Sequence, residues 1–236
     1  GRRRGRSVQF RQYDHEVQGG VIIKPYGGVH RDAPNDAVVL QPIASKPYGL
    51  VQAHGMNPVL NNIDPYWGSV WAFAEGMSNY VAAGGNPDKA VLTNNYVTAT
   101  PDEHVMGALD MMVDAVCDSM DAIKRPVISG KDSLSSRFKR KNTAGEVVET
   151  IDIPPVLTMT VAGRIDDISK TITTDIKKPG STLVMVGRAD YEALGGSILY
   201  KTHDGSSANL PKVDLEQLPK TLRGVYDAIQ TNKVLA

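Results

Sequence analysis

The chain has 236 residues, with 26 basic side chains, 26 acidic side chains and one cysteine. Zero net charge gives no reason to expect nucleic acid or a charged membrane surface as a partner. One cysteine excludes an internal disulfide and a cysteine-ligated metal cluster, and no apolar run approaches the ~20 residues of a membrane span. The sequence therefore favours a soluble, cytoplasmic protein that binds neither nucleic acid nor a membrane.

The first part of the chain alternates short strands with long helices. Apolar runs bounded by glycine, proline and asparagine predict strands at 21–24, 37–40, 49–54 and 91–92. Asp64 and Pro65 are typical of an N-cap and a first helical position, and Gly84 of a helix end. A helix is therefore predicted between them.

A second helix is predicted from about 101 to 123, because apolar residues recur there at helical spacing. Strands follow at 126–128 and 155–161, with a polar hairpin around 142–145 between them. Cys117 lies in an apolar stretch of this helix and is predicted to be a buried core thiol. The mixture of strands and helices indicates an α+β fold.

The sequence also predicts how the chain divides into domains. We expect an N-terminal tail at 1–20, a smaller domain at 21–168 and a linker at 169–180. A buried strand at 182–186 and a helix at 215–229 follow. One strand and one helix are too few for an independent core, so 181–236 is interpreted as the incomplete start of a larger domain.

The segment after the strand at 126–128 places several charged and polar side chains close together. Gly130 is followed by a cation, a carboxylate and a hydroxyl, at Lys131, Asp132 and Ser133. This mixture suits a site where phosphate, a metal and a polar substrate meet, although the G-x-x-x-x-G-K-[ST] spacing is absent. A polar turn between two strands is the alternative interpretation.

A second group of polar residues could hold a metal. Glu75 and Asn79 are four residues apart on the first long helix, so both project from one face. Carboxylate and carboxamide oxygens are ligands that magnesium accepts, and Asp36 could supply a second carboxylate. An exposed polar helix face is the alternative. Among the five histidines, only His54, at a strand end, is considered for function.

These segments together resemble phosphoribosylformylglycinamidine synthase, the ATP-dependent, amidine-forming enzyme family of purine biosynthesis. The resemblance rests on the segments at 13–17, 64–66, 74–79 and 130–135, which follow the family's order. It implies the second, aminoimidazole ribonucleotide synthetase-like half of that enzyme. The expected fold is a mixed sheet with two main helices on one face, followed by the truncated start of an α/β domain.

The resemblance also implies the ligands and the site residues. The cofactors would be ATP or ADP and Mg²⁺, with Asp36, Glu75 and Asn79 as metal ligands. The nucleotide- and substrate-binding residues would be Asn35, Gly130, Lys131, Asp132 and Ser133. Shorter relatives have a metal-binding asparagine where this chain has Lys131, so metal binding is not expected at that position.

The resemblance further implies substrates and partners. The substrates would be formylglycinamide ribonucleotide and ATP, and the partners the remaining synthetase half and a glutaminase domain or subunit. The chain alone would be inactive and would form a homodimer through its uncovered sheet. Two alternatives remain open. One is another ATP-using member of the superfamily, such as a selenophosphate synthetase, and the other is a non-catalytic, nucleotide-stabilised interaction domain.

Overall fold

The structure, a computed structural model, describes residues 17–236. Most of the motif at 13–17 and most of the predicted N-terminal tail at 1–20 lie outside the described residues. The strands are β1 Val21–Ile23, β2 Tyr26–Gly27, β3 Ala33–Pro34, β4 Ala37–Leu40, β5 Gly49–Gly55, β6 Val91–Val97, β7 Val127–Ser133, β8 Arg137–Lys141, β9 Val147–Asp152 and β10 Val156–Ile165. The α-helices are α1 Pro58–Ile63, α2 Pro65–Ala82, α3 Glu103–Ile123, α4 Ile198–Thr202 and α5 Leu218–Gln230.

Six strands form the main sheet in the order β1-β4-β5-β10-β6-β7. Neighbouring strands are antiparallel except β6 and β7, which are parallel and joined through α3. Strands β2 and β3 form a separate two-stranded sheet, and so do β8 and β9. The core lies between the main sheet and helices α2 and α3. This confirms the predicted α+β class with a mixed sheet and two main helices on one face.

Helix α2 begins and ends where the sequence predicts. The Asp64 side chain accepts a hydrogen bond from the Trp67 backbone N–H at 3.0 Å, and Pro65 occupies the first turn. Gly84 follows the helix with a φ of +99°, a conformation that favours glycine. Phe73 and Tyr80 are fully buried. The helix therefore fixes the centre of the core.

Two glycines let α2 approach β5 closely. A Cβ atom on Gly55 would lie 1.9 Å from the Ala72 carbonyl oxygen and 2.5 Å from the Gly76 backbone nitrogen. On the other side of the contact, a Cβ on Gly76 would lie 3.2 Å from the Gly55 backbone nitrogen. Side chains on α2 can consequently reach the backbone at the end of β5.

The structure corrects the prediction for the Gly130 segment. Strand β7 continues through Gly130 to Ser133, so this segment is not a turn that follows the strand. Strand β6 likewise extends past 91–92 to Val97, and the two strands pair along most of their length. Glycine is a common strand breaker. Here the parallel partner supplies the backbone hydrogen bonds that keep β7 extended.

Two further predictions are wrong. Cys117 is exposed, because the buried face of α3 passes through Met112 and Val116, and the next residue lies about 100° around the helix. Residues 182–186 do not form a buried strand. Leu183, for example, is 80% exposed, since no neighbouring strand pairs with this segment in the described part of the chain.

The C-terminal helix packs against the same core as the rest of the protein. Leu218 and Leu222 of α5 are buried in the cluster that α2 and the sheet form. Arg223 of this helix also forms an ion pair with Asp88. The division of the chain at 169–180 stays a prediction, but α5 is packed on residues of the smaller domain. Among residues 17–236, no helix has the length and apolar character to cross a membrane.

Candidate functional site

Helix α2 holds the end of β5 through two side chains. The Met56 backbone N–H donates to Glu75 Oε2 at 2.7 Å, and Asn79 Nδ2 donates to the His54 carbonyl oxygen at 2.9 Å. The close contact at Gly55 explains how both side chains reach the strand. Because its nitrogen is engaged, the Asn79 side chain would coordinate a metal through Oδ1. The Glu75 carboxylate retains its second oxygen for the same purpose.

Asp36 lies beside this strand end. It precedes Ala37, which pairs with Ala53 in an antiparallel register, so Asp36 falls alongside His54. The pKa of the Asp36 carboxyl and the pKa of the Glu75 carboxyl are both raised by desolvation, and the Met56 N–H offsets part of the effect at Glu75. A nearby cation would favour the charged form of both carboxyls.

Two of the three candidate metal ligands, Glu75 and Asn79, are thus hydrogen-bonded at the end of β5, and Asp36 precedes the neighbouring strand β4. In the described residues, no group of three or more histidine, cysteine, aspartate or glutamate side chains is arranged to hold a metal ion. Magnesium is commonly held by one or two carboxylates together with water and substrate phosphates.

Asn35, next to Asp36, has a structural role in this conformation. Asn35 Nδ2 donates to the Lys24 carbonyl oxygen at 2.7 Å, and Oδ1 accepts from the Thr174 backbone N–H at 3.2 Å. Asn35 and Asp36 line a cavity of about 110 Å³ together with Thr173 and residues of α5. Ligand pockets usually measure about 300 Å³ or more, so a nucleotide needs a wider opening here.

The structure separates the residues of the Gly130 segment onto two faces of β7. A Cβ on Gly130 would lie 2.1 Å from Asn94 Oδ1, so a larger residue at this position would displace the Asn94 side chain. Asp132 pairs with the buried Tyr96 on the side of α3; burial raises the pKa of Tyr96, and the charge of Asp132 adds to the effect. Gly130 and Asp132 thus belong to the helix side of the sheet.

Lys131 and Ser133 lie on the opposite face. Lys131 Nζ donates to the Ser133 hydroxyl, as expected for residues two apart on a strand. The five predicted nucleotide and substrate residues are therefore not brought together by one surface.

Sequence reasoning missed a residue on that opposite face. Thr160 of β10 lies beside His54, with 2.8 Å between its hydroxyl and His54 Nδ1. The sequence of β10 contains the signal that could have found it. Thr158 and Thr160 alternate there with apolar residues that are buried, namely Leu157, Met159 and Val161. Such alternation indicates one covered and one uncovered sheet face.

Comparison with known proteins identifies relatives. No protein-family model matches the chain. The phosphoribosylformylglycinamidine synthase subunit PurL of Thermoplasma acidophilum is 30% identical over 212 residues, which are 89% of this chain and 26% of that subunit. The same subunit of Thermoplasma volcanium is 31% identical over 210 residues, 88% of this chain and 26% of the subunit.

Solved structures agree on the fold. The structure of PurLQS from Thermotoga maritima has a TM-score of 0.55 and 23% identity, covering 72% of this chain and 25% of the compared chain. T. maritima PurL complexed with AMPPCP has a TM-score of 0.52 and 24% identity over 71% of this chain and 25% of its own. The chain spans about a quarter of the length of these relatives. Over that quarter, the chain is a homologue of the phosphoribosylformylglycinamidine synthase subunit PurL.

Proposed function

We propose that the chain is part of a phosphoribosylformylglycinamidine synthase in de novo purine biosynthesis. The complete enzyme would use ATP to phosphorylate the amide oxygen of formylglycinamide ribonucleotide. Ammonia derived from glutamine would then displace the phosphate to give the amidine. Solved T. maritima PurL complexes with ATP, with ADP and with FGAR support this assignment. In such chemistry, fixed charges that hold the phosphates supply much of the catalysis.

The proposed metal site consists of Asp36, Glu75 and Asn79 with Mg²⁺. The observation that carries it is the pair of hydrogen bonds at the end of β5, one donated by the Met56 N–H to Glu75 and one donated by Asn79 to the His54 carbonyl oxygen. These bonds fix both side chains before a ligand arrives, and preorganised ligands lose less entropy on binding. Magnesium held by these residues would supply positive charge against the phosphates of ATP or ADP.

The remaining assigned residues would contact the nucleotide and the substrate. We infer that Asn35 meets the nucleotide once the Thr174 contact opens, because Asn35 adjoins Asp36. Gly130 and Asp132 would act from the helix side of β7. Lys131 and Ser133 would act from the other face, where a lysine ammonium can neutralise phosphate as a point charge.

Further protein would be needed for activity. The chain would work in the cytoplasm with the remaining synthetase half and with a glutaminase domain or subunit, and it would be inactive alone.

We also propose that residues 181–236 begin a larger domain. An isolated chain would form a homodimer through the sheet face opposite α2, where Ile22, Leu40 and Leu50 leave apolar surface exposed.

Calorimetry tests the metal and nucleotide site directly. ATP and ADP would be titrated into the wild-type chain with and without magnesium, and then into Glu75→Gln and the control Glu216→Gln. Glu216 is exposed, in the turn before α5. We expect magnesium-dependent binding that weakens about tenfold in Glu75→Gln, as for the loss of one charged ligand, and stays unchanged in the control. Equal binding by all three proteins would show that Glu75 is not a ligand.

One observation favours a second role for the same site. Both Glu75 and Asn79 are bound to the backbone of β5, so a nucleotide held there would stabilise the strand end. The chain would then be a non-catalytic, nucleotide-stabilised interaction domain. A nucleotide that remains bound through purification and is not hydrolysed by the assembled enzyme at this site would support that role.

A further inference from the structure

A short polar segment covers Asn35 in this structure. Residues 173–177, called here the strap, follow the 3₁₀ turn Ile168–Lys170 and form neither a helix nor a strand. The Thr174 backbone N–H donates to Asn35 Oδ1 at 3.2 Å, and the Thr174 hydroxyl donates to the Pro34 carbonyl oxygen at 2.6 Å. One strap residue therefore provides two hydrogen bonds to the proposed nucleotide site.

The amide of Asn35 is engaged at both ends. Its Nδ2 donates to the Lys24 carbonyl oxygen at 2.7 Å, and both donors of Thr174, the backbone nitrogen and the hydroxyl, lie within 3.3 Å of Oδ1. A Cβ on Gly27 would lie 2.9 Å from Asn35 Nδ2, so the side chain is also packed against this glycine. A nucleotide hydroxyl or amino group that donates to Asn35 Oδ1 must therefore displace Thr174.

The cavity beside the strap is too small for a nucleotide. Asn35, Asp36, Thr173 and Thr174 line a volume of about 110 Å³ together with residues of α5, whereas ligand pockets usually measure about 300 Å³ or more. Because the strap supplies part of this lining, its displacement opens the cavity on that side. Access to Asn35 and to the widened cavity thus depends on the same movement.

Movement of the strap leaves the core intact. Residues 173–175 are half-buried, and Ile176, the apolar side chain of the strap, is 68% exposed. Asp175 accepts from the Thr173 hydroxyl at 2.5 Å and pairs with Lys177 at 3.3 Å, so these contacts are internal to the strap and move with it. Opening therefore breaks polar contacts and exposes little apolar surface, which is typical of segments that open locally.

We propose that the strap is an autoinhibitory contact, in which Thr174 occupies the hydrogen-bonding positions of Asn35 that a nucleotide needs. The closed strap excludes the nucleotide, and the open strap exposes Asn35 beside Asp36. The apparent affinity for the nucleotide is then the intrinsic affinity multiplied by the fraction of molecules whose strap is open. This regulation rests on the nucleotide site proposed above and adds a contact that controls access to it.

Calorimetric titration with ATP and magnesium tests the strap in the wild type, in Thr174→Val and in the control Thr202→Val. Valine keeps the branched shape of threonine and removes the hydroxyl. The Thr202 hydroxyl likewise donates to exposed backbone carbonyl oxygens, but within α4. Loss of one hydrogen bond should shift the strap towards its open form, so we expect Thr174→Val to bind ATP about fivefold more tightly and the control to stay within about twofold of the wild type.

Hydrogen exchange of the Thr174 backbone amide, followed by nuclear magnetic resonance of the wild type, supplies a readout that needs no variant. A ligand that binds the folded protein usually stabilises it and slows exchange. Here the nucleotide takes the acceptor of the Thr174 N–H, so we expect this amide to exchange faster with ATP bound than without it.

Three results would overturn the proposal. Equal ATP affinity of the wild type and Thr174→Val would show that the strap does not compete with the nucleotide, and would leave the nucleotide site standing. A Thr174 amide that exchanges no faster with ATP bound would have the same meaning. Binding by neither protein would refute the nucleotide site and the strap together.

Discussion

Replacing Gly55 with alanine should separate β5 from α2. The new methyl group would lie 1.9 Å from the Ala72 carbonyl oxygen and 2.5 Å from the Gly76 backbone nitrogen. Both neighbours are backbone atoms of a helix, so neither can rotate away as a side chain could. The strand and the helix must move apart instead, which loosens the packing around Phe73 and Tyr80.

The cost follows from this geometry. An extra methylene in a packed core usually costs about 1–3 kcal/mol of unfolding free energy, and the upper end applies where backbone must shift. We therefore expect Gly55→Ala to lose about 3 kcal/mol. Small domains have about 5–15 kcal/mol in total, so the loss is a large share. The same movement would draw Met56 away from Glu75, and magnesium-dependent nucleotide binding should weaken as well.

Urea unfolding followed by circular dichroism measures the change, with Gly107→Ala as the matched control. Gly107 lies within α3, and apart from its chain neighbours and the helix's own backbone no atom lies within 4 Å of the position that its Cβ would take. Alanine there should raise the unfolding free energy by about 0.5–1 kcal/mol, because glycine is a poor helix former. A loss below about 1 kcal/mol for Gly55→Ala would refute the close-contact argument.

Three further outcomes are expected. Burial raises the pKa of Glu75 above its unfolded value, so the folded protein holds its proton more tightly and stability falls as the pH rises through that window. Glu75→Gln should therefore unfold at a higher urea concentration than the wild type near about pH 7, and at the same urea concentration near about pH 3. An equal stability gain at both pH values would contradict the raised pKa of Glu75. Leu222→Ala should cost about 2–4 kcal/mol, while Leu183→Ala should change the unfolding free energy by under about 0.5 kcal/mol; similar values would mean that α5 is not part of the core. Cys117 should react with an aromatic disulfide reagent in the native protein, and a thiol that reacts only in denaturant would contradict its exposure.

Local signals in the sequence predict much of the fold. Asp64, Pro65 and Gly84 mark the ends of α2 because capping and left-handed backbone depend on residue type at single positions. The pairing of Glu75 and Asn79 on one face follows from helical periodicity alone. Their hydrogen bonds to β5 do not, since those depend on how closely the helix and the strand approach.

The errors share a dependence on distant parts of the chain. Glycine at position 130 suggests the end of a strand, but β6 continues beside it and keeps the backbone extended. Residues 182–186 have the composition of a buried strand and find no strand to pair with among the described residues. For Cys117, an apolar local composition concealed a position just off the buried face of α3.

The position of β10 in the sheet determines the order in which the protein can assemble. This strand is the last of the six in the chain, yet it lies between β5 and β6. At about 5–20 residues per second, synthesis needs several seconds to pass from β6 to the end of β10. Once β7 has been made within that interval, the nascent chain can hold two separate half-sheets, β1-β4-β5 and β6-β7, each with an edge that later pairs with β10. Unpaired edges of this kind invite association with other chains, so the newly made polypeptide is most exposed to misassembly just before residues 156–165 emerge.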